Sequence, residues 1–300
     1  MKLPILPLLA LGLVSALTLQ AEDKTYNLKI ERENQVGTKT KETLSGTNMQ
    51  KQTVSMGGQV VQEMAEKFSG KISGTREVLA VDARKRVSKI KFTVEKMTTK
   101  TDDEPEKEAL EAGKEIVVES AAGESKCTVD GQEPAPEVRK LAGLVFEVAK
   151  EDKPETTIDD AFNTQEPRKP GAEWKADLAK LLKSMPADMP FDIETEGSSG
   201  KISFPEVKDV EGTPCCRVQI NLDLKVKGLK GLPPEMKPTG ASLKVEMKGA
   251  LPEKATLPAL DESMTMNMDF AGTMATPDGQ EAQIKITNEM HKEGQARLVK

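Results

Sequence analysis

Cys216-Arg217-Val218-Gln219-Ile220-Asn221-Leu222-Asp223-Leu224-Lys225-Val226-Lys227 alternates without error between apolar and polar side chains. Successive side chains of an extended strand point to opposite faces, so this stretch has a dry face of Val218, Ile220, Leu222, Leu224 and Val226 and a wet one. A strand that is wet on one side belongs in an antiparallel sheet whose other side is covered. Downstream the same period recurs in Leu243, Val245 and Met247, in Met264, Met266, Met268 and Phe270, and in Ile284 and Ile286, with Thr276-Pro277-Asp278-Gly279 as a hairpin turn. Upstream it recurs in Tyr26, Leu28 and Ile30 and in Ile90, Phe92 and Val94. Ile116-Val117-Val118 is a short apolar run, and Asp130-Gly131 is a turn dipeptide. The charge run Thr101 to Glu108 reads as a solvated loop between strands.

Between the two strand-rich stretches the period changes. Val138, Leu141, Val145 and Val148 recur at three and four, which predicts an amphipathic helix over 136–150 with Glu137 at its start and Lys150 at its end. A Pro-rich stretch with Pro154, Pro167 and Pro170 follows, with a helical turn expected at 158–162. A second helix is expected over 175–184, carrying Leu178, Leu181 and Leu182 and closed by Pro186. The fold class expected is mainly β, of the α+β kind: antiparallel sheets in two pseudo-equivalent halves with a helical middle section. The divisions are a leader at 1–21, a β-rich half at 22–133, a connecting section at 134–189 and a second β half at 190–300. Asp130-Gly131-Gln132-Glu133 and Asp278-Gly279-Gln280-Glu281 echo each other across the halves.

The leader is read from Lys2 followed by an apolar run of about fifteen residues and small residues suited to cleavage, after Ala16 or, preferably, Ala21. The run is shorter than the roughly eighteen residues of a membrane-spanning helix and carries Pro4 and Pro7. The chain is therefore expected to be exported, periplasmic or extracellular, with no transmembrane segment after leader cleavage. No cysteine precedes Cys127, so there is none at the new N-terminus to carry a lipid. The net charge of −6 argues against a nucleic-acid partner. One Trp, one Tyr and seven Phe are too few for stacking platforms for sugars or bases.

Catalytic signatures fail one by one, so the chain is read as non-catalytic and without a cofactor. His291 is the only histidine, which leaves no material for a Ser/His/Asp triad outside a polar C-terminal segment. Ser88-Lys89-Ile90-Lys91 has the Ser-x-x-Lys spelling but lies on a strand, where positions i and i+3 point apart. Gly197-Ser198-Ser199-Gly200-Lys201 lacks the rest of a phosphate loop and reads as a flexible turn. Asp159-Asp160 after Thr156-Thr157 reads as a helix N-terminus rather than a calcium loop. No metal is assigned. One minor alternative is kept: Met264, Met266 and Met268 along one strand face, with His291, are soft ligands suited to Cu(I), against the reading that they are a flexible core stripe. Of the three cysteines, strand phase turns Cys216 and Cys127 inward and Cys215 outward. The favoured disulfide is Cys127 with Cys216, and buried free thiols are the alternative.

The order of leader, β-rich half, helix DGQEPAPEVRKLAGLVFEV (130–148), segment DDAFNTQEPRKPGAEW (159–174) and alternating strands resembles families of uncharacterised exported bacterial proteins. In layout it is similar to periplasmic lipoprotein carriers, where a curved antiparallel sheet holds acyl chains beneath helices. That resemblance implies an apolar cavity and carries over no residues. The function expected is an exported envelope protein that binds a lipid, another apolar ligand or an envelope protein. The alternatives are a structural or interaction module without ligand, or an unrecognised hydrolase. The ligand-binding residues are unknown from sequence.

Overall fold

A computed structural model describes residues 24–121, 124–149, 156–185, 191–230, 233, 235–276 and 279–299. The leader expected at 1–21 lies outside them. The first half supplies β1 (Lys39–Met56), β2 (Gln59–Val81), β3 (Val87–Thr101), β4 (Lys107–Leu110), β5 (Glu115–Ala121) and β6 (Glu124–Val129). The middle supplies α1 (Pro136–Val145), α2 (Ile158–Ala161), β7 (Ala172–Lys175) and α3 (Leu178–Ser184). The second half supplies β8 (Phe191–Phe204), β9 (Val207–Val210), β10 (Thr213–Leu229), β11 (Met236–Pro252), β12 (Asp261–Ala275) and β13 (Glu281–Leu298).

All thirteen strands join one antiparallel sheet, in the order β6-β5-β3-β2-β1-β13-β12-β11-β10-β8-β7, with β4 beside β3 and β9 beside β10. The chain runs from the middle to one edge, crosses through the helical section to the other edge, and returns strand by strand until β13 pairs with β1. The two halves therefore advance across the sheet in the same sense. The four-residue echo does not mark equivalent places: Asp130-Gly131 form the turn after outermost β6, whereas Gly279 lies in the β12–β13 connection.

The dry faces are sealed by two different covers. Over the first half lies α1, buried through Val138, Leu141, Ala142 and Val145. Its seat is a cross-strand glycine pair, Gly46 of β1 opposite Gly70 of β2. A Cβ at Gly70 would come within 2.7 Å of Leu141 and 2.8 Å of the Thr98 carbonyl, and one at Gly46 within 3.2 Å of Leu144. α1 stops at Val145, five residues short of the expected end. Phe146 turns extended, its ring settles 5.0 Å from Phe92, and the Ala149 N–H donates to the Val87 carbonyl. The aromatic contact and the strand hydrogen bond take the place of a further helical turn.

The second half is sealed by several short pieces. Thr157 and Asp160 form a reciprocal capping box that starts α2, as the Asp159-Asp160 reading expected. α3 begins at Leu178 because Asp177 caps it, while Lys175, the first residue of the expected helix, goes to β7. The Trp174 Nε1–H donates to the Phe162 carbonyl at 2.6 Å. Tyr26, Leu28 and Ile30 were expected to form a strand of the first half. They make only one bridge, Tyr26 with Arg168, and pack on the second half's core, with Tyr26 edge-on to Phe204 at 5.6 Å.

Two further expectations are corrected. Gly197–Lys201 is no free turn; it lies within β8, where Gly197 at φ +81° accompanies a register shift against β10. The bridge between Cys127 and Cys216 is not formed: all three cysteines are free. Cys127 is on β6 and Cys216 on β10, in separate cores with seven strands between them in the sheet. Strand phase gave both an inward side but not the same neighbourhood. Cys215 does face away from the main core, yet it is fully buried, because Val210, Ala250 and Leu260 enclose it there.

Candidate functional site

Among the described residues the two covers pack on separate cores. The sheet curls so that Ile90 of β3 and Val218 of β10 line one half-open cleft of about 520 Å³, although five strands separate them in the sheet. Leu44, Val145, Ile220 and Leu251 add aliphatic wall, Met247 and Met264 add thioethers, and the floor is the β1–β13 seam. One rim is the stretch Phe146–Ala149 beyond α1. The other is the 258–259 loop, held by Arg32, whose guanidinium donates to the carbonyls of Lys29, Pro252, Lys254 and Leu257 at 2.6–2.8 Å.

The floor of this apolar cleft is charged. Arg76, Glu42, Lys292 and Glu262 project inward from four successive strands, β2, β1, β13 and β12. Glu42 is buried, accepts a 2.6 Å hydrogen bond from the Thr40 hydroxyl and lies 3.7 Å from Arg76. Burial pushes its carboxyl above the ordinary glutamate value, and Arg76 and Thr40 offset only part of that. The Lys292 side chain is 9% exposed, and its ammonium donates to Glu147 at 2.8 Å and sits 3.8 Å from Glu262. Burial alone would lower its pKa; the attraction of Glu147 and Glu262 outweighs that and raises it. Lys292 in turn holds the Glu147 carboxyl below its ordinary value.

Sequence reasoning named none of these charged residues as site residues. A signal was present: Glu42 falls in phase with Leu44, and Lys292 in phase with Met290 and Ile286. A charge in the dry phase of a strand needs a partner or a ligand.

The candidate copper residues separate. Met264, Met266 and Met268 face inward, Met264 into the cleft and the other two against the second core. His291 lies on the reverse face, its Nδ1 3.0 Å from the Thr265 hydroxyl and its Nε2 3.0 Å from Glu293. Register and alternation account for this: His291 stands opposite Thr265, whereas Met264 and Met266 stand opposite Lys292 and Met290, whose side chains point to the other face. Among the described residues no group of three or more His, Cys, Asp and Glu is placed to hold a metal ion. Burial pushes the Cys216 thiol up to about 11 and raises those of Cys127 and Cys215, so all three favour the protonated, unreactive form.

No family model matches the chain. No curated protein matches it either. A solved structure described as lipid-protein interactions in lipovitellin is similar at 8% identity and a TM-score of 0.34, over 88% of this chain and 25% of that one. This chain thus spans about a quarter of the length of that relative. Pseudomonas aeruginosa OccK11 (OpdR) is similar at 8% identity and a TM-score of 0.17, over 89% of this chain and 99% of that one. Likenesses at this level carry no functional argument. No helix among the described residues is long and apolar enough to cross a membrane.

Proposed function

We propose that the protein is an exported, non-catalytic binder of an apolar ligand, held in the cleft between the two halves. One observation carries this reading: aliphatic side chains from both halves converge on about 520 Å³ that the helices leave unfilled. That is within the roughly 300–1,000 Å³ of small-molecule sites, which are lined by apolar side chains with a few placed polar groups. Export rests on the leader grammar of residues 1–21 alone. Absence of catalysis is proposed from the failed sequence motifs alone. The test is organic extraction of the purified protein followed by mass spectrometry. A lipid or other apolar compound recovered near one equivalent per chain is expected; an empty protein that gains no thermal stability from added lipids would contradict the reading.

A second reading, an interaction module, is favoured by a different feature. β2 pairs with β3 only from Phe68 onward and Lys67 is tied to Asp102, so among the described residues Gln59–Glu66 is an open sheet edge, with Val60, Val61 and Met64 exposed. Such an edge can accept an added strand. An empty protein that elutes as an assembly, dissolved by Val61→Lys, would favour that reading.

A further inference from the structure

The charged floor gives the cleft a chemical preference, and this inference rests on the apolar-ligand reading above. The cationic groups at the cleft are not equally committed. Arg32 is engaged by four backbone carbonyls, Arg86 is paired with Asp82, Arg76 faces the buried carboxylate of Glu42, and Lys248, itself exposed, pairs with Glu246. Lys292 differs. Its 2.8 Å partner, Glu147, has a side chain 76% exposed and stands on the non-helical rim Phe146–Ala149 instead of on a strand. A buried ammonium is thus capped by a carboxylate whose side chain is largely in solvent, and its other neighbour, Glu262, is 3.8 Å away.

We propose that Glu147 is a stand-in for the ligand's own headgroup: the cleft takes a long-chain carboxylic acid, whose carboxylate displaces Glu147 from Lys292 while its chain lies against the aliphatic walls. The exchange replaces one carboxylate by another, so the charge facing Lys292, Arg76, Glu42 and Glu262 is unchanged and no ion is left unpaired. Leu44 and Met264, which share the floor with Lys292, continue the apolar surface from the headgroup position toward Ile90 on one side and Ile220 on the other. The ligand would then present its charge to the floor and its chain to the walls, as the side chains there are arranged.

The test compares palmitate with hexadecanol, of equal chain length but uncharged, in titrations of the purified full chain. Palmitate should bind about tenfold or more tightly, the scale of one charge-assisted hydrogen bond. Glu147→Gln, an exposed change that weakens the competitor, should tighten palmitate several-fold and leave hexadecanol unchanged. Lys292→Met should erase the preference for palmitate while hexadecanol still binds, which also shows that the variant is folded. Equal binding of both compounds by the wild type, or a Glu147→Gln variant with unchanged palmitate affinity, would overturn the headgroup assignment and leave the apolar cleft standing. Binding of neither compound would remove the apolar-ligand reading and this inference with it.

Discussion

The two halves of the sheet solve one problem differently. The first half buries its dry face under a single ten-residue helix whose side chains descend onto the Gly46–Gly70 pair, so its cover is close and continuous. The second half is covered by α2, α3, Trp174 and the Tyr26–Ile30 stretch, pieces too short to stand alone and held by caps and by hydrogen bonds between them. A thirteen-stranded sheet is wider than either cover. The seam where β1 meets β13 is left with charges on its floor, and an open space is the consequence.

If the second cover depends on a keystone, it is Phe162, buried at the end of α2 beneath Trp174. Phe162→Ala should cost about 3–5 kcal/mol, read as a fall in the urea midpoint. An effect under about 1 kcal/mol would show that the short pieces hold the sheet without it. The glycine seat is tested by Gly70→Ala, whose methyl meets both Leu141 and the Thr98 carbonyl. A loss of about 1–3 kcal/mol is expected by the same assay, and an unchanged midpoint would mean that α1 is not seated as closely as the contacts require.

Met266 and Met268 pack against the second core, whereas Met264 lines the cleft. Changing Met264, Met266 and Met268 together to Leu should cost less than about 1.5 kcal/mol per site, because the volumes are nearly equal. Cu(I) uptake by the wild type that the triple change abolishes would contradict the core assignment.

The smallest effect expected is a slope with pH at the seam. Glu42 has a folded pKa above its unfolded one, so the folded state holds a proton more tightly between the two values. This residue's contribution to stability therefore falls as pH rises through that window, opposite in sign to an ion-paired carboxylate such as Glu147, whose contribution is lost as pH falls through its depressed value. Stability curves of the wild type and of Glu42→Gln, measured from pH 4 to 7, should diverge in that direction. Parallel curves would mean that Glu42 is not desolvated.

Much of the sheet could be read from alternation, because period two is a local property: β10 runs from Thr213 to Leu229 around the stretch read from its pattern. What escaped was non-local. The end of α1 depends on Phe92 and Val87, more than fifty residues away in sequence. The Tyr26–Ile30 stretch alternates correctly, yet its partner is the far half, and nothing within the stretch says so. Cys127 and Cys216 share a phase but not a core, since phase reports a face and not a place on it. The charged floor was half legible: Glu42 and Lys292 break the dry phase of their own strands, but only the pairing of β1 with β13 brings them to one cleft.

If the cleft itself is the binding site, filling it must abolish binding. Ala259 lies on its rim, half-buried, where a larger side chain would grow into the open space. Saturation binding of a fluorescent fatty-acid analogue to the wild type and to Ala259→Trp, with circular dichroism to show equal folding, is the decisive comparison. One equivalent bound by the wild type and a loss of at least about tenfold in affinity in the folded variant is the expected result. Undiminished binding by Ala259→Trp would place any ligand elsewhere and contradict the account.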